Sequence, residues 1–266
     1  MRPEALQVEI RPRTAGHVIA LTTRMLQLRA RPLLAAWATC SIAISAVALL
    51  LLVWLQWNPL LVWLLVLTFG SMFAPPVVAT IGMLVFSPKV KLRDVVSMSL
   101  RRALPYWLAF IPMRLATLVA AAGLLVPGYY VWRQAWFLGP VVLLEGTGVA
   151  DSLKRASRFA IGYHGHVAAH AAHAGALLCY FSFTFASLVF VLLKTVIGAN
   201  VPAIDRLLVY EHLNHAVGMI GFALAVPFVT MMWFFVYLDV RTRKEGWDLE
   251  IAFRASAEKM ERRRGA

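Results

Sequence analysis

Apolar residues occur along this chain in blocks of about twenty, and most blocks are followed by a short basic segment. An α-helix needs about twenty residues to cross roughly 30 Å of hydrocarbon, because it rises 1.5 Å per residue. Soluble domains carry about 25% charged residues, whereas this chain carries 15%. The pattern therefore predicts an all-α protein, a polytopic bundle of membrane helices.

Six segments are expected to cross the membrane, at about 33–57, 60–86, 106–126, 127–146, 167–193 and 214–238. They would form three helical hairpins between a cytoplasmic segment, 1–32, and a basic cytoplasmic C-terminal helix, 239–266. Segment 127–146 is ambiguous, because Arg133 and Gln134 are poor lipid-facing residues. If it crosses, 22 of the 26 Lys and Arg residues lie on the cytoplasmic side, as the positive-inside rule requires. Six spans are therefore predicted, with both termini in the cytoplasm.

The positions of the basic residues also bear on possible partners. A net charge of +13 is compatible with nucleic-acid binding, but the basic residues flank apolar blocks, which membrane orientation explains. We expect the lipid bilayer as a partner and no nucleic acid. Cys40 and Cys179 lie inside apolar blocks and form no CxxC pair. Thiols of this kind are usually inert, and no cofactor is predicted.

Residues 14–31 are predicted to form a basic amphipathic helix ahead of the first span. Val18, Leu21, Met25 and Leu28 share one face of this helix. Such helices most often lie at the level of the lipid headgroups, and binding to a protein partner is the alternative.

Charged residues inside membrane spans are costly and serve as functional candidates. Arg114 lies in the third predicted span, Arg133 lies in the fourth, and Glu145 ends the fourth. Arg114 is expected to reach Glu145 by extending its side chain toward the cytoplasm. Arg133 is expected to point into the bundle and to bond backbone oxygens freed at proline-broken turns. Two roles remain open for these residues, which are binding of an anionic ligand between helices and fixing of the helix packing.

Three histidines, His166, His170 and His173, are spaced at i, i+4 and i+7, so they share one helix face. Such a stripe is a weak candidate for a transition-metal site or a proton relay. The alanines around it favour a tightly packed polar seam between helices. We therefore predict no metal.

A dense charge cluster follows the sixth span, and we call it the exit cluster. Its members are Asp239, Arg241, Arg243, Glu245, Gly246 and Asp248. Asp239 is expected to pair with Arg243 or Arg241 on one helix face, and Gly246 is expected to end the helix. Glu245 and Asp248 are expected to meet basic residues of 147–165, which include Lys154, Arg155 and Arg158.

The exit segment YLDVRTRKEGWDLE, residues 237–250, resembles the exit motif of the bacterial glycerophosphoryl-diester-phosphodiesterase membrane-domain-like family. The resemblance extends to the middle of the chain and to RPRTAGH at 11–17. The matching positions in the middle are Pro127, Gly128, Arg133, Phe137, Pro140, Glu145, Gly146, Ser152, Leu153, Arg155 and Gly162. It implies a six-helix protein of the bacterial inner membrane, in a family largely without known function. The phosphodiesterase domain that gives the family its name is not found in this sequence.

No catalytic signature occurs in the sequence, which contains no glycine-rich phosphate loop, no GxSxG elbow and no paired carboxylates within a span. The first hypothesis is a non-enzymatic scaffold or regulatory component of a membrane complex, which binds a membrane or cytoplasmic protein partner. The alternative is a transporter or lipid-handling protein that uses Arg114 and Arg133 in a centre broken at Pro75-Pro76, Pro112, Pro140 and Pro227. A membrane enzyme ranks third.

Overall fold

The computed structural model describes residues 14–87, 90–123, 125–161, 164–196 and 211–246. The described residues form helices and their connections and contain no strand. The helices are α1 (Ala15–Leu28), α2 (Ala30–Leu49), α3 (Pro59–Phe69), α4 (Pro75–Phe86), α5 (Leu92–Gly123), α6 (Leu125–Pro140), α7 (Val149–Ala160), α8 (His164–Val196) and α9 (Glu211–Glu245). A π-helical turn extends α2 over Leu50–Trp54, and another extends α6 over Val141–Glu145. A 3-10 turn, Gly70–Phe73, joins α3 to α4.

Among the described residues, five segments are long and apolar enough to cross a membrane, and they identify an integral membrane protein. They are Ala30–Trp54, Pro59–Val85, Leu92–Gly123, Val167–Leu192 and His215–Glu245. Helix α6, the fourth predicted span, is not among them, because Arg133 and Gln134 lower its hydropathy. Residues 135–143 of this segment are nevertheless buried. A helix surrounded by other helices does not need the apolar surface that lipid requires.

Helix α9 forms the centre of the bundle, and α8 lies at its edge. In the most apolar part of each helix, 83% of the α9 residues are buried but none of the α8 residues. Helix α9 packs against α8, α2, α4 and α1. Ser41 of α2 donates a hydrogen bond to the carbonyl oxygen of Ala223 at 2.9 Å. This bond joins α2 to α9 and satisfies the buried Ser41 hydroxyl.

Helices α5 and α6 pack against each other as an antiparallel hairpin. At one end they are joined by a single residue, and a Cβ on Gly128 would lie only 2.7 Å from the Ala121 Cα. At the other end, Arg102 donates a hydrogen bond to the carbonyl oxygen of Gly146 at 3.2 Å. About twenty residues separate the two ends on each helix, which corresponds to roughly 30 Å.

Two predicted elements differ from the structure. The third span was expected to begin at residue 106, but α5 is continuous from Leu92, because the basic segment before it is an amphipathic continuation of the same helix. In α1 the buried face comprises Val18, Thr22 and Met25 and packs against α9, whereas Leu28 is exposed. Burial of Thr22 is possible because its hydroxyl donates to the Val18 carbonyl.

The four predicted proline breaks also behave differently from one another. Only Pro75-Pro76 interrupts a helix, whereas Pro112 and Pro227 lie inside the continuous helices α5 and α9. Pro140 ends the regular part of α6 and is followed by the π-helical turn.

Candidate functional site

The Pro75-Pro76 pair removes the α-helical donors of two carbonyl oxygens, although the Ala74 N–H still donates to the Ser71 oxygen at 3.1 Å. In an α-helix, the oxygens of residues 71 and 72 accept from the N–H groups of residues 75 and 76, and proline has no N–H. Tyr106 donates its hydroxyl to the Ser71 oxygen at 2.9 Å, and Trp107 donates its indole N–H to the Met72 oxygen at 3.2 Å. Side chains of α5 therefore donate hydrogen bonds to the carbonyl oxygens at the break between α3 and α4.

Arg114 lies about two turns farther along α5, and its guanidinium approaches the same break. Its Nη2 donates to the Ser71 hydroxyl at 3.1 Å, and its Cζ lies 4.9 Å from the centroid of the Phe110 ring. The residue is only 6% exposed, and its Nε has no hydrogen-bond partner among the described residues. Helical rise places Arg114 about 18 Å from Arg102 and about 14 Å from Gly123. The cation thus lies near the middle of the part of α5 between Arg102 and Gly123.

A cavity of about 470 Å³ opens beside Arg114. Its walls are mainly apolar and aromatic, and they include Trp63, Phe110, Trp132, Trp136, Phe222 and Trp233. Within the described ranges, Arg114 is the one charged residue that lines it, and the hydroxyls of Ser71, Ser182 and Thr230 are also part of the wall. Small-molecule sites usually have this volume and this combination of apolar walls with few polar groups.

The cavity lies in the cleft between the α5–α6 hairpin and α8. Helix α8 packs mainly against α9 rather than against α5 or α6. Leu67 of α3 and Cys179 of α8 line the cavity and are both exposed on the bundle surface. The cavity therefore opens to the side of the bundle, between exposed residues of two apolar helices.

Arg133 is buried as predicted, with 4% exposure, but it does not line the cavity. Its Cζ lies 4.3 Å from the centroid of the Tyr130 ring, a geometry that favours a cation. Arg133 was expected to bond oxygens at proline-broken turns or a buried polar side chain, and the oxygens at one such turn, Pro75-Pro76, are bonded by α5 side chains. The two intramembrane arginines consequently have separate surroundings.

Glu145 does not contact Arg114, and that expectation was wrong. Its carboxylate accepts the Tyr237 hydroxyl at 2.6 Å and forms an ion pair with Arg155. Arg241 lies 3.9 Å away. Arg114 lies too far along α5 for this pairing, and basic residues of α7 and α9 are closer to Glu145.

The exit cluster joins α9 to α7 through Glu245. Arg155 donates to Glu245 at 2.7 Å, which confirms the predicted contact between this residue and segment 147–165. Arg241 donates to the second oxygen of Glu245 at 2.8 Å. Lys244 donates to the backbone oxygens of Arg158 and Ile161 at the end of α7. The adjoining ends of α6, α7 and α9 are thereby held together.

The remaining expectations for the exit cluster concern its own helix. Asp239 pairs with Arg243 at 3.0 Å, as their i, i+4 spacing predicts. Gly246 ends α9 with a φ of 57°, where glycine is favoured. Asp248 lies outside the described residues.

The histidine stripe does not form one uniform seam. His170 is buried near Trp233, with ring centroids 6.5 Å apart. His173 is exposed, and its Nδ1 lies 2.7 Å from the Ala169 oxygen of its own helix. The side chain of His166 lies outside what the structure describes. Within the described part of the chain, no group of three His, Cys, Asp or Glu is placed to hold a metal ion.

Several residues of the site were not recognised in the sequence. Ser71 and Met72 had a usable signal, because each lies four residues before a proline. No sequence signal identified Tyr106, Trp107 or the tryptophans of the cavity. Aromatic residues in apolar segments are ordinary core or interface residues.

Comparison with known proteins assigns no family. No protein-family model matches the chain, and no significant match was found among the curated proteins or the solved structures. The resemblance of the exit segment to the phosphodiesterase membrane-domain-like family stays a prediction.

Proposed function

We propose that this integral membrane protein is a lipid-handling protein that binds an amphipathic anion in the cavity beside Arg114. The ligand class is a hydrocarbon chain that carries a carboxylate or phosphate. The observation that carries the proposal is a buried arginine, with an Nε that has no partner among the described residues, in an otherwise apolar cavity. Burying such a cation is costly without an anion, and a bound headgroup would accept its hydrogen bonds.

The direction from which the cavity opens supports a ligand that comes from the bilayer. The exposed residues Leu67 and Cys179 lie at its edge, within apolar segments. An amphipathic molecule could enter sideways from the hydrocarbon, while its charged end reaches Arg114.

The proposed binding can be tested with dibromostearate, because bromine quenches nearby tryptophan fluorescence and four tryptophans line the cavity. Dibromostearate is expected to bind the purified protein about 10- to 100-fold more tightly than its neutral methyl ester. A charge-assisted hydrogen bond contributes about 1.5–3 kcal/mol, which corresponds to such a ratio. Arg114→Gln should abolish the preference for the anion, and Arg114→Lys should retain part of it.

Arg133→Gln is the matched control, because it removes a buried arginine that does not line the cavity. It should leave the preference for the anion unchanged. Equal binding of acid and ester by the parent protein, or an unchanged preference in Arg114→Gln, would refute the proposal.

Six membrane crossings are part of the proposal, with α6 as the fourth. The length of the α5–α6 hairpin and the burial of α6 support this count. Reporter fusions after Lys91, Arg158 and Arg254 should then report a cytoplasmic location, and a fusion after Asp205 an external one. If α6 did not cross, the fusion after Arg158 would be external, which would contradict the six-span topology.

The scaffold hypothesis stays an untested prediction. The charged groups expected to recruit a partner largely contact one another, since Glu245 binds Arg155 and Arg241. This internal pairing gives less support to partner binding than the cavity gives to ligand binding.

A further inference from the structure

A second pocket lies at the cytoplasmic end of the bundle, between α2, α4 and the beginning of α5. It has a volume of about 990 Å³ and is separate from the cavity beside Arg114. We call it the interfacial groove. Its lining residues are Gln27, Leu28, Arg29, Ala30, Arg31, Pro32, Ala35, Ala36, Thr39, Pro76, Thr80, Leu84, Val90, Leu92, Val95, Val96, Ser99 and Leu100.

The charges of the interfacial groove are all positive and lie at one end. Arg29 and Arg31, at the junction of α1 and α2, form this end together with Gln27, and no acidic residue of the described chain lines the groove. Arg31 is exposed. From there the lining along α2 becomes apolar through Ala35 to Thr39, which lies about 14 Å deeper than Ala30 by helical rise.

Three hydroxyls line the groove, and two of them are already bonded. Thr39 donates to the Ala35 oxygen and Thr80 donates to the Pro76 oxygen. Ser99 is 8% exposed, and its hydroxyl has no partner among the described residues. A buried hydroxyl without a partner is uncommon, and an ester carbonyl would accept its hydrogen.

We propose that the interfacial groove binds one anionic glycerophospholipid of the cytoplasmic leaflet. The phosphate lies at Arg29 and Arg31, a glycerol ester carbonyl accepts from Ser99, and one acyl chain follows the apolar wall toward Thr39. The order of cationic end, hydroxyl and apolar trough is the order of chemical groups in such a lipid. Basic pockets between membrane helices on the cytoplasmic side are known to select anionic headgroups.

The test is native mass spectrometry of the full chain, released from nanodiscs that contain equal phosphatidylglycerol and phosphatidylcholine. The parent protein should retain one phosphatidylglycerol about tenfold more often than phosphatidylcholine. Arg29→Gln combined with Arg31→Gln should reduce this preference to near unity. Arg24→Gln, an exposed arginine of α1 outside the groove, should preserve it.

A second pair of variants tests the position of the acyl chain. Ala35→Trp fills the groove and leaves both arginines in place, so it should abolish retention. Ala38→Trp adds the same ring at a position of α2 outside the groove and should retain the lipid. Gly175→Phe, which fills the cavity beside Arg114, should also leave this lipid in place, so the two sites can fail independently.

Equal retention of the two lipids by the parent protein would overturn the proposal, as would retention that survives Ala35→Trp. A disulfide cross-link from Ala35→Cys to a cysteine introduced within 1–13 or 247–266 would also overturn it. That result would identify the groove as the binding site of the chain's own terminal segment.

Discussion

Glu145→Gln is expected to lower the thermal midpoint of the purified protein in detergent by roughly 4–10 °C. The side chain of Glu145 is 10% exposed and lies between Arg155 and Arg241, which share Glu245 as their other acidic partner. Glutamine preserves the shape and an acceptor for the Tyr237 hydroxyl but removes the charge. Removing one partner of a buried ion pair costs about 3–5 kcal/mol. Because both arginines are partly exposed, the expected loss of stability in Glu145→Gln is about 2–3 kcal/mol.

Asp151→Asn is the matched control for Glu145→Gln. Asp151 is an exposed carboxylate in the first turn of α7, where the helix dipole gives it about 0.3–1 kcal/mol. Its loss should shift the midpoint much less. Equal shifts in the two variants would show that the charges around Glu145 contribute only as exposed ion pairs do.

Gly175→Phe is expected to abolish binding of dibromostearate while the protein stays folded. Gly175 lines the cavity, and a Cβ at this position would meet no heavy atom within 4 Å. The phenyl ring can therefore occupy the space of the ligand without a clash at its attachment point. Replacing a helical glycine also favours the helix, so the thermal midpoint should be unchanged or higher. Tryptophan quenching by dibromostearate measures the loss.

Gly165→Phe is the corresponding control on the same helix. A Cβ added to Gly165 would likewise have no heavy atom within 4 Å, and this glycine does not line the cavity. Quenching should persist in this variant. Quenching that persists equally in Gly175→Phe would place the ligand outside the cavity, even if the preference of the parent protein for the anion were confirmed.

Sequence periodicity and residue spacing predicted the features that form within a single helix. The membrane-spanning helices follow from apolar length, and the Asp239–Arg243 pair follows from the i, i+4 spacing. The beginning of α5 was missed because a hydropathy pattern distinguishes membrane segments from water-exposed segments. It does not distinguish a water-exposed helix from a loop. A charged segment such as 93–102 can continue a helix beyond its apolar part, as it does here.

Contacts between helices were harder to predict because they depend on relative depth and rotation. The partner of Glu145 is an example: counting residues placed Arg114 within reach, but Arg155 and Tyr237 approach from two other helices. The cavity could not be predicted either, because it results from the separation of α8 from α5 and α6 rather than from any one segment.

The central position of α9 has a consequence for biosynthesis. The ribosome makes the chain from its N-terminus, so α9 emerges after α1–α8. Until then Ser41 lacks the Ala223 carbonyl, and the apolar faces of α2 and α4 lack the helix that they pack against. The earlier helices therefore cannot complete their packing before α9 is made, and the bundle reaches its final arrangement only at the end of synthesis.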